Sequence, residues 1–284
     1  MGKYFTSIFI LKPERDVFLM KPDKKLFKDR KVLQQALDFF TLKAKDKPDS
    51  YIPYLNRGFI FFLSGEYKKA LLDCERAAQL DGDNVSVLCM QGLVLGKLNQ
   101  NLKALACFER SMKIDPNFYF AYIGKALIER NLGKYKGALK DLDSAAKLSP
   151  KSFRIYLYRG DIKVEMGEFE AAVKDYQRAI KHAPTLKRVI LDLIVHAYIQ
   201  GGIYNAENGD YKTAVKLFKS YIELVPDDPN AYYHLGDAYM NLEQFDEARK
   251  CLEKAAELDP KGSIGDEARD LLDIFDQIAE NDID

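Results

Sequence analysis

Three histidines (His182, His196 and His234) and four cysteines (Cys74, Cys89, Cys107 and Cys251) are the side chains of this 284-residue chain best suited to hold a metal or act as nucleophiles. A protein zinc site draws its donors from short spacings such as C-x-x-C or H-E-x-x-H, so that they converge on one ion. The histidines form no such motif, and the cysteines stand far apart. There is no Walker-type glycine loop for phosphate and no G-x-S-x-G elbow for a serine nucleophile. Carboxylates are plentiful but recur on periodic faces, where charge is the ordinary choice for a solvated surface. The sequence therefore predicts no catalytic constellation, no metal and no cofactor. The cysteines read as buried, reduced thiols of a cytoplasmic protein.

Charge and hydropathy narrow the classes further. Lys plus Arg equals Asp plus Glu at 43 each, whereas a nucleic-acid binder carries a basic excess. With 47% hydrophobic residues the chain can bury a sizeable core, yet no apolar run approaches the roughly 18 residues of a membrane span. The apolar stretch Tyr4–Leu11 follows a single Lys and precedes no small-residue cleavage site, so it does not read as a secretory signal. The opening MGKYFTSI fits the loose myristoylation pattern through Gly2 and Thr6, a short pattern that matters only in a eukaryote. Neither nucleic acid nor stable membrane insertion is expected.

What the sequence has in place of a catalytic motif is a period. GEYKKAL at Gly65, GKYKGAL at Gly133, GEFEAAV at Gly167 and GDYKTAV at Gly209 share Gly, a polar residue, an aromatic, two variable positions, Ala and an aliphatic. NQNLKAL at Asn99 and EQFDEAR at Glu243 supply two more copies, and the common step is 34 residues. Upstream of each copy a small residue recurs at Gly58, Gly92, Ala126, Gly160, Gly202 and Gly236. Downstream, Ala77, Ser111, Ala145, Ala179, Tyr221 and Ala255 hold a second equivalent place, and prolines 116, 150, 184, 226 and 260 close five of the six units. Small residues let two antiparallel helices approach, and proline ends one helix before the next begins. A hairpin of this size cannot bury its apolar faces alone, so such units stack.

From about Tyr51 to Gly262 the chain resembles the tetratricopeptide-repeat family, whose period is 34 residues. The resemblance implies an all-α fold, a right-handed α-solenoid of helix hairpins, with an N-terminal half repeat and a C-terminal capping helix. The expected organisation is an N-terminal extension (1–16), a degenerate or half repeat (17–50), repeats at 51–84, 85–118, 119–152, 153–186, 187–228 and 229–262, and a capping helix with an acidic tail (263–284). The fifth repeat carries eight surplus residues, which fall at KRVILDLI, Lys187–Ile194. They lengthen either its first helix, from about Leu186 to Glu207, or the turn around GGIYNAEN. Val189, Ile190, Leu191, Leu193 and Ile194 nearly encircle the added turns, so the extension is expected to be covered. Its cover is either the fourth repeat or a second interface. At the chain's end Ile264, Ala268, Leu271, Leu272, Phe275 and Ile278 share one side of an amphipathic helix with Ser263 as its candidate cap. Near the start, Ala36 and Pro48 fit a repeat's second helix, while Pro22 interrupts a first helix over Val17–Arg30.

In the family the first helix of each hairpin lines a concave surface where partners bind. Carried onto this sequence, the partner-binding candidates are Ile52, Leu55, Phe59 and Phe62 in the first repeat, Leu93 in the second, and Phe120, Ile123 and Leu127 in the third. These form an apolar stripe. Arg154, Tyr158 and Asp161 in the fourth repeat, His196 in the fifth, and Tyr233 and Asp237 in the sixth make the other half more polar. A family subgroup clamps the acidic C-termini of heat-shock chaperones with inner Lys and Asn residues. Here Leu55, Phe59 and Met90 stand at those places, so that partner is not expected. The apolar stripe suits either an apolar peptide or helix of a partner or the chain's own YFTSIFIL.

The resulting expectation is a non-catalytic protein-protein interaction adaptor or scaffold. The alternative is a structural assembly subunit that forms a homo-oligomer or fixed complex through its convex face and the long fifth hairpin. RNA binding by helical repeats is disfavoured by the neutral charge.

Overall fold

The computed structural model describes residues 30–281, with side chains described over 31–275. The extension 1–16, the Tyr4–Leu11 segment, Gly2 and Thr6, the helix expected over Val17–Arg30 up to its last residue, and the Ile278 side chain lie outside the described residues or side chains. Among the described residues every regular element is helical. The order is α1 (Arg30–Asp46), α2 (Tyr51–Leu63), α3 (Tyr67–Leu80), α4 (Val85–Lys97), α5 (Asn101–Ile114), α6 (Tyr119–Asn131) and α7 (Tyr135–Leu148). Then come α8 (Phe153–Glu165), α9 (Phe169–His182), a 3₁₀ turn (Pro184–Leu186), α10 (Lys187–Glu207), α11 (Tyr211–Leu224), α12 (Pro229–Met240), α13 (Phe245–Leu258) and α14 (Ser263–Asn281). The chain divides after Ile155 into two compact units, each a stack of antiparallel helix hairpins of the α-solenoid kind.

Each hairpin closes through one residue in the left-handed region. Gly65, Gly133, Gly167 and Gly209 have φ of 78°, 70°, 78° and 79°, and Asn99 and Glu243 hold the same place at 60° and 59°. Glycine adopts this conformation without a Cβ penalty, asparagine tolerates it, and glutamate is strained there. The turn sets the register of the hairpin, so that a residue of the first helix faces the residue sixteen further on. A Cβ added to Gly92 would lie 2.7 Å from Phe108 Cζ, one on Gly160 2.5 Å from Tyr176 Cε1, and one on Gly202 2.4 Å from Phe218 Cε1. The recurrent small residue is thus a seat for a large side chain of the second helix.

The neighbouring register position carries polar pairs at the same spacing. Arg57 donates from Nε and Nη2 to both carboxylate oxygens of Asp73, at 2.8 and 2.7 Å. Cys107 Sγ lies 3.8 Å from Gln91 Oε1, and Lys125 Nζ donates to Asp141 at 2.7 Å. Asp175 meets Arg159 Nε at 3.3 Å and Lys163 Nζ at 2.6 Å. Asp73, Asp141 and Asp175 are buried, so these cations offset the cost of taking a carboxylate out of water. Repeats five and six replace this pair with Gly201 and Leu217, and with Leu235 and Cys251.

The eight surplus residues lengthen a helix: α10 runs unbroken for 21 residues. Its buried residues Ile190, Ile194, Ala197 and Gly201 form one stripe at helical spacing, and α9 packs against α10. The extension continues the face that the repeat already buries. Adjacent Gly201 and Gly202 let α10 approach two neighbours, because their missing Cβ atoms make room for Phe169 of α9 and Phe218 of α11.

In the first unit Leu33, Ala36 and Phe40 of α1 pack with Ile60 of α2. A larger core runs from Leu55 and Phe59 through Met90 and Phe108 to Phe120. In the second unit Phe218, Leu235 and Tyr239 centre one cluster. Leu252, Ala255 and Ala268 hold α14 onto α13, with Leu271, Leu272 and Phe275 against them. Ser263 is the first residue of α14 rather than its cap, and the Asp259 carboxylate accepts the Gly265 N–H at 3.3 Å. The Asp259 backbone lies so close that a Cβ at Gly265 would come within 1.7 Å of its carbonyl oxygen, and glycine makes this approach possible.

Three substitutions test this account by thermal or denaturant unfolding. Gly160→Ala is expected to destabilise by roughly 1–3 kcal/mol through overpacking against Tyr176. Asp175→Ala leaves Lys163 and Arg159 without their buried anion and is expected to cost on the order of 2–3 kcal/mol. Glu243→Gly removes a left-handed glutamate and is expected to stabilise by about 0.5–1 kcal/mol.

Candidate protein-binding surface

The inner-face positions of the first unit do not make an open apolar stripe. Leu55, Phe59, Phe120 and Ile123, expected as partner-binding residues, are buried. Successive first helices α2 and α4, and α4 and α6, pack on each other as well as on their own second helices. Large apolar residues at these positions fill that space and join the core. Phe62, Leu93 and Leu127 are half-buried, Phe62 lying 5.6 Å from the Tyr67 ring, and Ile52 is exposed. Phe120 stacks on Tyr119 at 4.2 Å. Arg154 is buried, with its guanidinium 5.0 Å from the Phe153 ring.

Of the second interface expected on the extension, Ile190 and Ile194 are also interior, for the packing reason given above. Leu191 and Leu193 are half-buried, and Val189, 54% exposed, is its one fully exposed apolar residue.

The second unit holds an open site. A cleft of about 220 Å³ lies between the inner ends of repeats five and six. Ile203, Ala206 and Glu207 come from the last turns of α10, Tyr211 and Phe218 from α11, and His234, Asp237 and Asn241 from α12 and its C-terminal edge. Asp237 is one of the partner-binding candidates of the sixth repeat, and Ile203 and Ala206 lie three residues apart on the first helix of the fifth. His234 stacks nearly parallel on Phe218 at 5.4 Å, and Tyr233 meets His234 edge-on at 5.5 Å. Asp228 caps α12 by accepting the Asn230 N–H at 2.9 Å, and its other oxygen takes the Tyr221 hydroxyl. The remaining candidates are not part of this cleft: Tyr158 is half-buried, Asp161 accepts the Tyr176 hydroxyl at 2.9 Å, and His196 is exposed.

Of the eight lining residues only Asp237 is among the sequence-derived partner-binding candidates. Tyr211 is the aromatic of the Gly-x-aromatic turn and Phe218 the partner of Gly202, so both were visible only as structural positions of the repeat. Sequence periodicity assigns them to packing. It does not show that space remains beside them between repeats five and six.

Burial holds the thiols protonated. It pushes Cys89 up to about 12 and Cys251 up to about 11, and raises Cys74 and Cys107 as well. Among the described residues no three His, Cys, Asp or Glu side chains converge as a metal site, and no helix is long and apolar enough to cross a membrane.

Burial lowers the His234 imidazole below its ordinary 6.5, against the opposing pull of Asp237, Glu267 and Asp228. The unfolded chain therefore takes up the proton first as pH falls below that value, and His234 erodes stability through that window. A histidine NMR titration is expected to place its midpoint below 6.5, and His234→Gln is expected to flatten the fall in melting temperature below that pH.

Tetratricopeptide-repeat family profiles match residues 205–272, and residues 85–118 and 153–185. No curated protein sequence matches the chain. Among solved structures it is similar to the APC/C hetero-tetramer Cut9–Hcn1, at TM-score 0.50 and 14% identity, covering 95% of this chain and 51% of that one. It is also similar to a tetratricopeptide repeat protein from Parabacteroides merdae, at TM-score 0.49 and 17% identity over 96% and 98% of the two chains. A third is YrrB, described as a tetratricopeptide-repeat protein with an unusual peptide-binding site, at TM-score 0.47 and 20% identity over 69% and 97%. The profile matches fall on hairpins whose turns and sixteen-residue register follow one rule, and the chain belongs to the tetratricopeptide-repeat family.

Proposed function

We propose that this protein is a non-catalytic adaptor or scaffold that binds an apolar segment of a partner protein on its inner face, at the cleft of repeats five and six. The tetratricopeptide fold supports a protein-interaction role at the general level. The observation that carries the specific reading is the cleft, lined by the apolar Ile203, Ala206 and Phe218 together with the polar Glu207, Asp237 and Asn241. That arrangement suits a side chain anchored on the apolar residues while the polar ones take hydrogen bonds from the partner's backbone or polar groups.

The test is a quantitative affinity capture from source cells with Ala206→Glu, which fills the cleft with a charged side chain. Leu102→Glu on the exposed face of α5 serves as control, because Leu102 is 82% exposed. Both variants must first keep the wild-type melting curve. Specific partners retained by Leu102→Glu and lost with Ala206→Glu are the expected result. Partners retained by both variants would place recognition elsewhere on the molecule.

A further inference from the structure

The cleft has a charge imbalance that its apolar lining does not explain. Two carboxylates, Glu207 and Asp237, stand among its lining residues, and no Lys or Arg does. Among the described residues neither carboxylate belongs to an ion pair, and Asp237 Oδ1 is met only weakly by the Asn241 amide at 3.4 Å. This contrasts with Asp73, Asp141 and Asp175, each matched by a cation across its own hairpin. Asp228 and Glu267 also act electrostatically on His234, so further negative charge lies near this wall of the cleft. Carboxylates beside a low-dielectric wall concentrate a field that favours a cation.

We propose, on the reading of this cleft as a partner site, that it takes an arginine or lysine side chain of a partner polypeptide. The aliphatic stem lies on Ile203, Ala206 and Phe218, and the cationic head sits between Glu207 and Asp237. At about 220 Å³ the cleft is below the range of pockets that enclose a whole small-molecule ligand, and its scale fits a single side chain. A long basic side chain matches both features, because its stem is apolar and only its tip is charged. Arginine is the better fit, since its planar fork addresses two carboxylates at once and its face stacks on an aromatic ring such as Tyr211.

The test uses the uniformly ¹⁵N-labelled full chain and two probes, the peptide acetyl-Ala-Leu-Arg-Leu-Ala-amide and its counterpart with Gln for Arg. The arginine probe is expected to shift the amide signals of Ala206, Asp237 and Asn241 and to bind at least about fivefold more tightly than the glutamine probe. That preference is expected to fall below about twofold in the isosteric double variant Glu207→Gln with Asp237→Asn, and to weaken as salt rises from about 0.05 to 0.5 M. Equal binding of both probes at the cleft overturns the cationic seat and leaves the apolar reading standing. Failure of both probes to shift these signals also overturns the seat, and the Ala206→Glu capture then decides the broader reading separately. The triple variant Lys3→Gln, Lys12→Gln, Arg15→Gln distinguishes a competing source. Arginine-probe binding tightened by more than about fivefold in that variant would assign the seat to the chain's own start and overturn the intermolecular proposal.

Discussion

The close approach of the two helices in each hairpin, with a small residue of the first facing the residue sixteen positions later, governs the rest of this structure. Gly92 under Phe108, Gly160 under Tyr176 and Gly202 under Phe218 are separated by less than a Cβ would need. The register depends on a left-handed residue at the turn, and the same register aligns Arg57 with Asp73, Lys125 with Asp141 and Arg159 with Asp175. Glycine inside a helix costs about 1 kcal/mol relative to alanine. Repeats accept that cost because the aromatic ring seated on the glycine buries far more apolar surface than a methyl group.

The two units use this rule with different consequences for recognition. In the first, Leu55, Phe59, Phe120 and Ile123 occupy inner-face positions and are drawn into the core. In the second, Ile203 and Ala206 stand at equivalent places, with the Gly201–Gly202 pair a few residues upstream on α10. Between α10 and α12 a cleft remains, lined by Phe218 and His234 among others. The buried ion pair of repeats one, three and four is replaced at the same register of repeats five and six by Gly201 and Leu217 and by Leu235 and Cys251. Glu207 and Asp237 line the cleft of this region and, among the described residues, belong to no ion pair.

Much of the fold was legible in the sequence because its determinants are local and repeated. The Gly-x-aromatic turn, the small residue before it and the closing proline recur at a fixed step, and α2 to α13 fall where that step puts them. Alignment placed the eight surplus residues but left open whether they lengthen a helix or a turn, and it did not give their facing. An apolar residue on every side of Lys187–Ile194 suggested a covered rod, whereas Ile190 and Ile194 alone continue the buried stripe and Val189 faces solvent. The candidate site was less legible. Inner-face position shows which way a side chain points, and whether it meets solvent or another helix depends on how closely successive hairpins pack. Leu55 and Ala206 share a class of position, and only packing separates a core residue from a cleft wall. The pairing of buried carboxylates across sixteen residues was present in the sequence as a regular spacing of Arg or Lys and Asp. Charge at those positions resembles ordinary surface composition until burial is known.

The central claim is that recognition uses the inner face of the second unit, and that the equivalent face of the first is committed to packing. Hydrogen–deuterium exchange on the full chain, alone and with a captured partner, tests it most directly. New protection confined to peptides spanning Ile203–Tyr211 and His234–Asn241, with Leu55–Phe62 already slow and unchanged, is the predicted result. Fast exchange across Leu55–Phe62 in the free chain, slowed by the partner while Ile203–Tyr211 stays unaffected, would contradict it.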